Sequence, residues 1–471
     1  MFDPEIYIAR RQKLVGEMIR RGQTEGCILL AASGESPRTY ADNCYPFRQD
    51  SSWLYFIGLN EPGMLASIDL ASGKTALFGE ERSLDSEIWT GPRPALRELA
   101  LRSGIEASHP LERASRECEA ARRKRGKVHY LPASRLETAR RVSSAVGSPP
   151  ESFEYTTSPS LIESVIALRE IKNDEEIAEL EKAVLVTEAM HTAVLKSLRP
   201  GWTEKAAAAL ALRVASEMGC ELGFSTIATT RGEVLHNQPG EAKCSGRDLF
   251  LLDAGAELPS GYSGDLTTTF PVGASFSTQA AELYALLLSV FEASTSLLRP
   301  GIPFLEVHKA ACLELARGLR ELGIMKGDPE QAVREGAHAL FLPHGLGHMI
   351  GLDVHDMEGL GEDRVGYAET QRSTQFGLKN LRLAKTLKPG MVHSMEPGIY
   401  FIPALMEKWQ NSGLHKEFIN FGEAAKWAGC RGMRIEEDWL VLENGARRLG
   451  KGLDKSLLAL ESARASALGT S

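Results

Sequence analysis

Five side chains able to bind a divalent cation are distributed over the second half of this chain: Asp253, Asp265, His348, Glu396 and Glu436. Each sits in a distinctive string, in order LLDAGAE, SGDLTTTFP, HGLGHMIGLDVHD, SMEPGIY and RGMRIEEDW. Four carboxylates and one imidazole make a hard, oxygen-rich donor set. It could hold two divalent ions and suits manganese best, with cobalt, iron or zinc also able to bind. Two ions roughly 3.5–4 Å apart activate a nucleophile and polarise the bond it attacks, so hydrolysis is the first chemistry to expect. Carboxylates inside apolar strands also need a cation, because an unpaired buried charge is strongly unfavourable.

Local geometry follows from the residues around each candidate. Asp253 and Asp265 flank Leu258-Pro-Ser-Gly261, a turn signal between two strand-like runs, Leu249 to Ala256 and Leu266 to Val272. A hairpin centred on Pro259 would set the two carboxylates opposite each other, about 5 Å apart. Arg434, Glu436 and Asp438 share one face of a strand by the period of two, with Ile435 on the other. Arg434 can then order the carboxylate of Glu436. Pro397 stiffens the chain after Glu396, and Gly398 permits close approach. Four of the eleven histidines (His338, His344, His348 and His355) fall within eighteen residues. That segment has no HExxH pattern, and Ile350 stands where a dinucleotide fingerprint needs glycine, so neither motif applies.

At 471 residues the chain calls for two domains. Hydrophobic residues at 43% and charged residues at 25% describe a globular protein. The net charge of −8 gives no reason to expect a nucleic-acid partner, and the basic run from Arg122 to Lys127 reads as a solvated loop. Seven scattered cysteines without a CxxC suggest neither a disulfide framework nor a zinc knuckle. The N-terminal segment has no apolar h-region, and no apolar run approaches the roughly 20 residues of a membrane span. A cytoplasmic protein with no membrane partner is expected.

Short strand-like runs (Gly26 to Ala32, Leu65 to Leu70, Lys74 to Phe78, Lys127 to Leu131) alternate with helical segments, as in a small α/β domain. The stretch Gly147-Ser-Pro-Pro-Glu-Ser and then Tyr155-Thr-Thr-Ser-Pro-Ser reads as a linker. The domains expected are therefore residues 1–150 and 160–471. A long helix should begin at Asn173, with Glu176 completing a capping box and Ile177, Leu180, Val184, His191 and Leu195 near helical spacing. It ends at Leu198-Arg-Pro-Gly201, and the same four residues recur at Leu298 to Gly301 before a second amphipathic stretch, Glu306 to Leu322. This repeat suggests two duplicated helix–helix–sheet halves.

The five donor strings, in this order, resemble the pita-bread metallopeptidases of family M24, in the branch containing aminopeptidase P and prolidase. The segments YPFRQDSSWLYFIGLNEPG (Tyr45 to Gly63) and EIWTGP (Glu87 to Pro92) resemble that branch's non-catalytic N-terminal domain. The resemblance implies an α/β N-terminal domain followed by an α+β pita-bread catalytic domain with internal pseudo-duplication. It implies that Asp253 binds one metal, that His348 and Glu396 bind the other, and that Asp265 and Glu436 bridge both. Glu396 would shuttle a proton to the leaving nitrogen of an Xaa–Pro bond, with His355 or His344 stabilising the oxyanion. His236 in GEVLHNQ matches a substrate-side histidine, and Tyr400 with His344 resembles the lining of a proline pocket. Arg382 matches a carboxylate-recognising arginine of prolidases. Trp89 resembles a tryptophan that reaches a partner subunit's cleft in a homodimer or homotetramer, the alternative being that it packs in its own domain's core. His191, His308, His338 and His393 read as ordinary helix or strand residues. The substrates implied are proline-containing peptides, for an Xaa-Pro aminopeptidase, or dipeptides, for a prolidase. A metal-free enzyme or a non-catalytic binding module on the creatinase fold is the remaining alternative.

Overall fold

A computed structural model describes residues 1–41, 43–81, 83–124, 126–153, 156–368 and 370–470. Arg125 of the basic run and Tyr155 of the expected linker lie outside them. The chain forms two compact units, Met1–Arg169 with Met357–Arg364, and Glu170–Asp356 with Val365–Ser471.

In the first unit, strands β1 (Gly26–Ala31), β2 (Leu65–Asp69), β3 (Thr75–Gly79), β4 (Ala107–Pro110) and β5 (Lys127–His129) form one sheet in the order β4-β3-β2-β1-β5. The two outer pairs are parallel and the two inner pairs antiparallel. The apolar run of β1 lies near the centre of this sheet, where Leu29, Leu65, Phe78, Tyr130, Val142, Val146 and Phe153 form a buried core. Its helix α1 (Leu84–Thr90) has no buried residue; Leu84, Ile88 and Trp89 are exposed.

The second unit opens with α2 (Asp174–Ser197), whose capping box forms as the sequence predicts: the Glu176 amide donates to Asn173 Oδ1 at 2.9 Å and the Asn173 amide to Glu176 Oε2 at 3.2 Å. Two helix pairs follow the same plan, α2 with α3 (Glu204–Glu217) and α4 (Thr278–Ser296) with α5 (Phe304–Glu321). After the first helix of each pair the repeated Leu-Arg-Pro-Gly makes the same turn. Gly201 and Gly301 take φ of 90° and 83°, a conformation that favours glycine. Their amides donate to Cys244 and Leu387 carbonyls at 2.8 and 2.9 Å, and the Cys244 and Leu387 amides donate back to Trp202 and Ile302 at 2.8 and 2.9 Å. Two copies of one turn docked in one way on two strand segments are the structural form of an internal duplication.

Between the helix pairs lie the strands that carry the candidate ligands. In the first half, β6 (Ile227–Thr229), β7 (Leu249–Ala254) and β8 (Leu266–Pro271) form an antiparallel sheet in the order β8-β7-β6. In the second, β9 (Val392–Met395) pairs with β12 (Glu437–Val441), and β10 (Gly398–Tyr400) pairs with β11 (Gly432–Arg434). The C-terminal helix α6 (Leu457–Leu468) closes this layer through Arg464, a fully buried guanidinium. It donates to the carbonyls of Leu195, Leu198, Pro271 and Val272 at 2.5–2.9 Å, tying the end of α2 to the end of β8. Replacing it removes a donor from four carbonyls, of which Leu198 keeps a second one from Arg199 Nη1 at 2.9 Å, and each buried acceptor left unsatisfied costs about 1–3 kcal/mol before relaxation. Arg464→Met should therefore destabilise the second unit by roughly 3–5 kcal/mol, read as a lower denaturant midpoint; an unchanged midpoint would contradict this role.

Candidate metal centre and active site

Asp253 and Asp265 come from the β7–β8 hairpin, but not in the arrangement the sequence suggested. Asp253 pairs with Thr267, so Asp265 lies two residues away on the same face, diagonal to Asp253 instead of opposite it. The reason is the turn. A three-residue connection, Pro259 to Gly261, is closed by Gly261 N–H to Leu258 C=O at 2.8 Å and Leu258 N–H to Tyr262 C=O at 3.0 Å. Gly261 takes φ of 90°, as the glycine of such a loop does. The hairpin is thus centred on Ser260, one residue beyond the expected Pro259.

The expected strand through Arg434, Glu436 and Asp438 is also divided, into β11 and β12. Both segments keep one register against β10 and β9, which sets Glu396 opposite Glu436. The ladder is interrupted there because Pro397 has no N–H to give, although its carbonyl still accepts from Ile435 at 3.2 Å. The three alternating side chains nevertheless converge on the hairpin. Arg434 pairs with Asp253, Glu436 accepts from the Thr267 hydroxyl at 2.6 Å, and Asp438 accepts from the Asp265 amide at 2.9 Å.

His348 stands at the centre. Its Nδ1 donates to the Met349 carbonyl at 3.2 Å, so Nε2 carries the lone pair that a metal could take. That nitrogen lies 3.5 Å from Asp265 Oδ2, 3.5 Å from Glu396 Oε1 and 4.0 Å from Glu436 Oε1. Donor atoms of Asp265, His348 and Glu436 all fall within 4.8 Å of one another. Asp253, Asp265, His348 and Glu436 are buried, whereas the side chains of Glu396 and His344 each retain 18% exposure and mark the mouth of the cluster. The ring of His355 stacks on that of His348 with centroids 4.0 Å apart.

The electrostatics of this cluster are those of a cation site. Burial, reinforced by neighbouring carboxylates, raises Asp265, Glu396 and Glu436 well above the ordinary carboxylate range, and Asp438 rises for the same reasons. Arg434 supplies the cation within the cluster; burial acts to lower its pKa, but Tyr400, Asp253, Glu436 and Glu396 outweigh that and hold it charged. Asp253 Oδ1, Asp265 Oδ1 and Asp438 Oδ1 are buried without a hydrogen-bond partner. Orphaned anionic oxygens around an imidazole lone pair fit a divalent metal.

Beside the carboxylates runs a neutral relay. Arg434 Nη1 donates to Tyr400 Oη at 2.9 Å, and Tyr400 in turn lies 2.9 Å from His344 Nε2. Because His344 Nδ1 donates to the Gly345 carbonyl at 2.7 Å, Nε2 is the acceptor of the tyrosine proton. Burial lowers His344 to about 3 and raises Tyr400 to about 12, so both remain uncharged at neutral pH. His236 is exposed on the loop after β6, within electrostatic reach of His344. Arg382 is half-buried and within electrostatic reach of Glu396. Trp89 is 81% exposed on α1 of the first unit, which removes the reading that it packs in its own domain's core.

Three contributors escaped the sequence reading. Thr267 binds both Glu436 and the Nε of Arg434, Ser394 donates toward Glu396 and accepts from the His348 amide, and Lys455 holds the Glu436 carbonyl at 2.6 Å. Thr267 carried a signal, standing two residues after Asp265 on the same strand face.

The sequence profile of metallopeptidase family M24 matches residues 178–443, and that of the aminopeptidase P N-terminal domain matches residues 7–130. The chain belongs to family M24. Its catalytic portion has the pita-bread fold expected. Among relatives in this family, the Xaa-Pro aminopeptidase of Escherichia coli is 31% identical over 460 residues, covering 93% of each chain. A probable Xaa-Pro aminopeptidase of Botryotinia fuckeliana is 30% identical over 90% of this chain and 89% of its own. Escherichia coli aminopeptidase P with the inhibitor Pro-Leu superposes with a TM-score of 0.81 at 28% identity, covering all of both chains. Proline aminopeptidase P II from Yersinia pestis gives the same score and identity over 99% of this chain and all of its own. As a member of a metallopeptidase family the chain binds divalent metal. Among the described residues no helix is long and apolar enough to cross a membrane.

The ligand strands rest on one further histidine. His191 of α2 donates from Nε2 to the Ala254 carbonyl at 3.1 Å and accepts at Nδ1 from Thr268 at 3.0 Å, an ordinary structural role as expected. Burial lowers it from 6.5 to about 3. The unfolded chain therefore binds a proton that the folded chain excludes, so His191's contribution is full above about pH 6.5 and lost as pH falls toward 3. His191→Gln should flatten the fall in urea midpoint between neutral pH and roughly pH 5. Parallel curves for both proteins would show that His191 does not drive it.

Proposed function

We propose that this chain is a dinuclear, manganese-dependent Xaa-Pro aminopeptidase that acts in the cytoplasm as a homo-oligomer. The observation that carries the reading is the convergence of Asp265, Glu396 and Glu436 on the Nε2 of His348, beside buried carboxylate oxygens that have no other partner. In this assignment Asp253, Asp265, His348, Glu396 and Glu436 would hold the two ions. The ions, when bound, supply Lewis acidity and an activated water.

The chain's own residues do the rest. Glu396 has partial solvent access and stands between His348 and His344, a position from which a carboxyl group can take up a proton and pass it to the leaving proline nitrogen. His355 or His344 stabilises the carbonyl oxygen as charge develops on it, His344 by turning its Nδ1–H from the Gly345 carbonyl to the substrate. Tyr400 and His344 line the proline pocket, and His236 meets the substrate from the rim. Arg434 pairs with Asp253 and donates to Tyr400, so it acts through its neighbours. Residues 160–471 contain this machinery, and residues 1–150 form the accessory domain.

Dipeptide cleavage is the second reading, favoured by Arg382, whose charge reaches the site and could bind the carboxylate of an Xaa-Pro dipeptide. The complete donor set and the enzymatic relatives speak against a non-catalytic module. Chelation should abolish hydrolysis of an Xaa-Pro pentapeptide and manganese should restore it, with the pentapeptide cut at least as well as the matched dipeptide. Turnover of the dipeptide alone would transfer the assignment to a prolidase; turnover surviving complete metal removal would end the dinuclear assignment.

Trp89 is assigned to a neighbouring subunit's cleft. Its exposure beside Leu84 and Ile88 on a helix with no buried residue supports this, since a large rigid aromatic closes a pocket over proline with little entropy to lose. Trp89→Ala should lower kcat/KM without loss of metal, and mixing it with Glu396→Ala protein under subunit exchange should restore activity. A protein that sediments as a monomer at assay concentration would remove this role.

A further inference from the structure

Among the described residues a second group of metal-binding side chains lies outside the carboxylate cluster: His308, Cys312 and His338, all buried. His308 and Cys312 are four residues apart on α5 and so share one face. His338 comes from the short 3-10 helix Ala337–Leu340, which follows the left-handed Gly336. One donor atom from each falls within 4.8 Å of the others, and Cys312 Sγ lies 3.5 Å from His308 Nε2. Ligands bound to one tetrahedral zinc at about 2.3 Å for sulfur and about 2.0 Å for nitrogen stand about 3.5 Å apart, so this pair is already at ligand spacing.

The second observation is the lack of partners. His338 and His308 are each 1% exposed, yet neither ring nitrogen of His338 has a hydrogen-bond partner, nor does Nδ1 of His308. A buried imidazole carries an N–H and a lone pair that both need satisfying, and two such rings beside a thiol form a polar pocket inside an apolar core. We infer that His308, Cys312 and His338 form a second, structural metal site for a borderline-soft ion of the zinc class. Two imidazoles and one sulfur are a donor set of that class and unlike the oxygen-rich active centre.

Burial holds His308 at about 3 and His338 at about 4, so both rings keep their lone pairs at neutral pH, and it pushes the Cys312 thiol up. Binding therefore releases the Cys312 proton to solvent as the metal–sulfur bond forms. The ion would join α5 to the turn that leads, six residues later, into His344 and, ten residues later, His348. It would act on catalysis only by positioning that segment.

The test uses the full-length chain produced in cobalt-supplemented medium. No cysteine is among the active-centre donors, so a thiolate-to-cobalt charge-transfer band in the near ultraviolet reports this site. The wild type should show the band, and Cys312→Ser should lose it together with one cobalt per chain, while Cys430→Ser keeps both. His338→Gln should shift or remove the band, and circular dichroism melts establish that each variant is folded. Should neither variant fold, X-ray absorption of the zinc-loaded wild type must show a sulfur neighbour at about 2.3 Å. A wild type without a thiolate signal, or a Cys312→Ser protein that keeps the band and its metal content, would overturn the site. None of these readouts depends on the activity assigned above.

Discussion

An excess of buried negative charge is the constraint around which the second unit is built. Asp253, Asp265, Glu396, Glu436 and Asp438 crowd one interior region that Arg434, with Lys455 beside Asp438, only partly neutralises. Left alone, such a cluster opposes folding, because each carboxylate must shed its hydration and face the others. The three carboxylates nearest His348 rise in pKa for that reason, and the arrangement makes physical sense as a cage for cations. Arg434 is ion-paired with Asp253 and, through Tyr400, links it to His344, so one side chain ties the ligand cluster to the neutral relay beside it.

Duplication and strand register turn that charge into a defined geometry. Each half supplies a helix pair, a Leu-Arg-Pro-Gly turn and strands, and four of the donors stand on or directly beside those strands, where Thr267 bridges Glu436, with His348 in the loop before β9. Register fixes the rest. Because successive side chains alternate faces, the diagonal relation of Asp253 to Asp265 and the opposition of Glu396 to Glu436 follow once the two ladders are set. Pro397 breaks the hydrogen bonding of the second ladder without shifting its register, which frees the chain beside Glu396 from sheet pairing at the point where access from solvent is needed.

Much of this was legible in the residues. The capping box at Asn173 and Glu176 is a local motif with a local partner, and it forms as read. The repeated Leu-Arg-Pro-Gly pointed to duplication because proline and glycine impose turn geometry wherever they fall. The hairpin offset was not legible, since Pro259 and Gly261 both signal a turn and only the backbone shows which residue is its centre. The division at Ile435 was hidden for another reason: its cause, Pro397, is remote in sequence. His308 and His338 read as ordinary core histidines, and nothing in their strings announces that they come together with Cys312.

The bond between Thr267 and Glu436 spans 169 residues of chain. Joining partners so far apart carries a loop-closure cost that local contacts do not. Asp253 and Asp265 emerge first, His348 and Glu396 later, and Glu436 last. Until Glu436 is made, the metal centre has at most four of its five donors. Competence arrives with the strands that flank Glu436, so maturation of the site is timed by their synthesis and docking on the earlier hairpin.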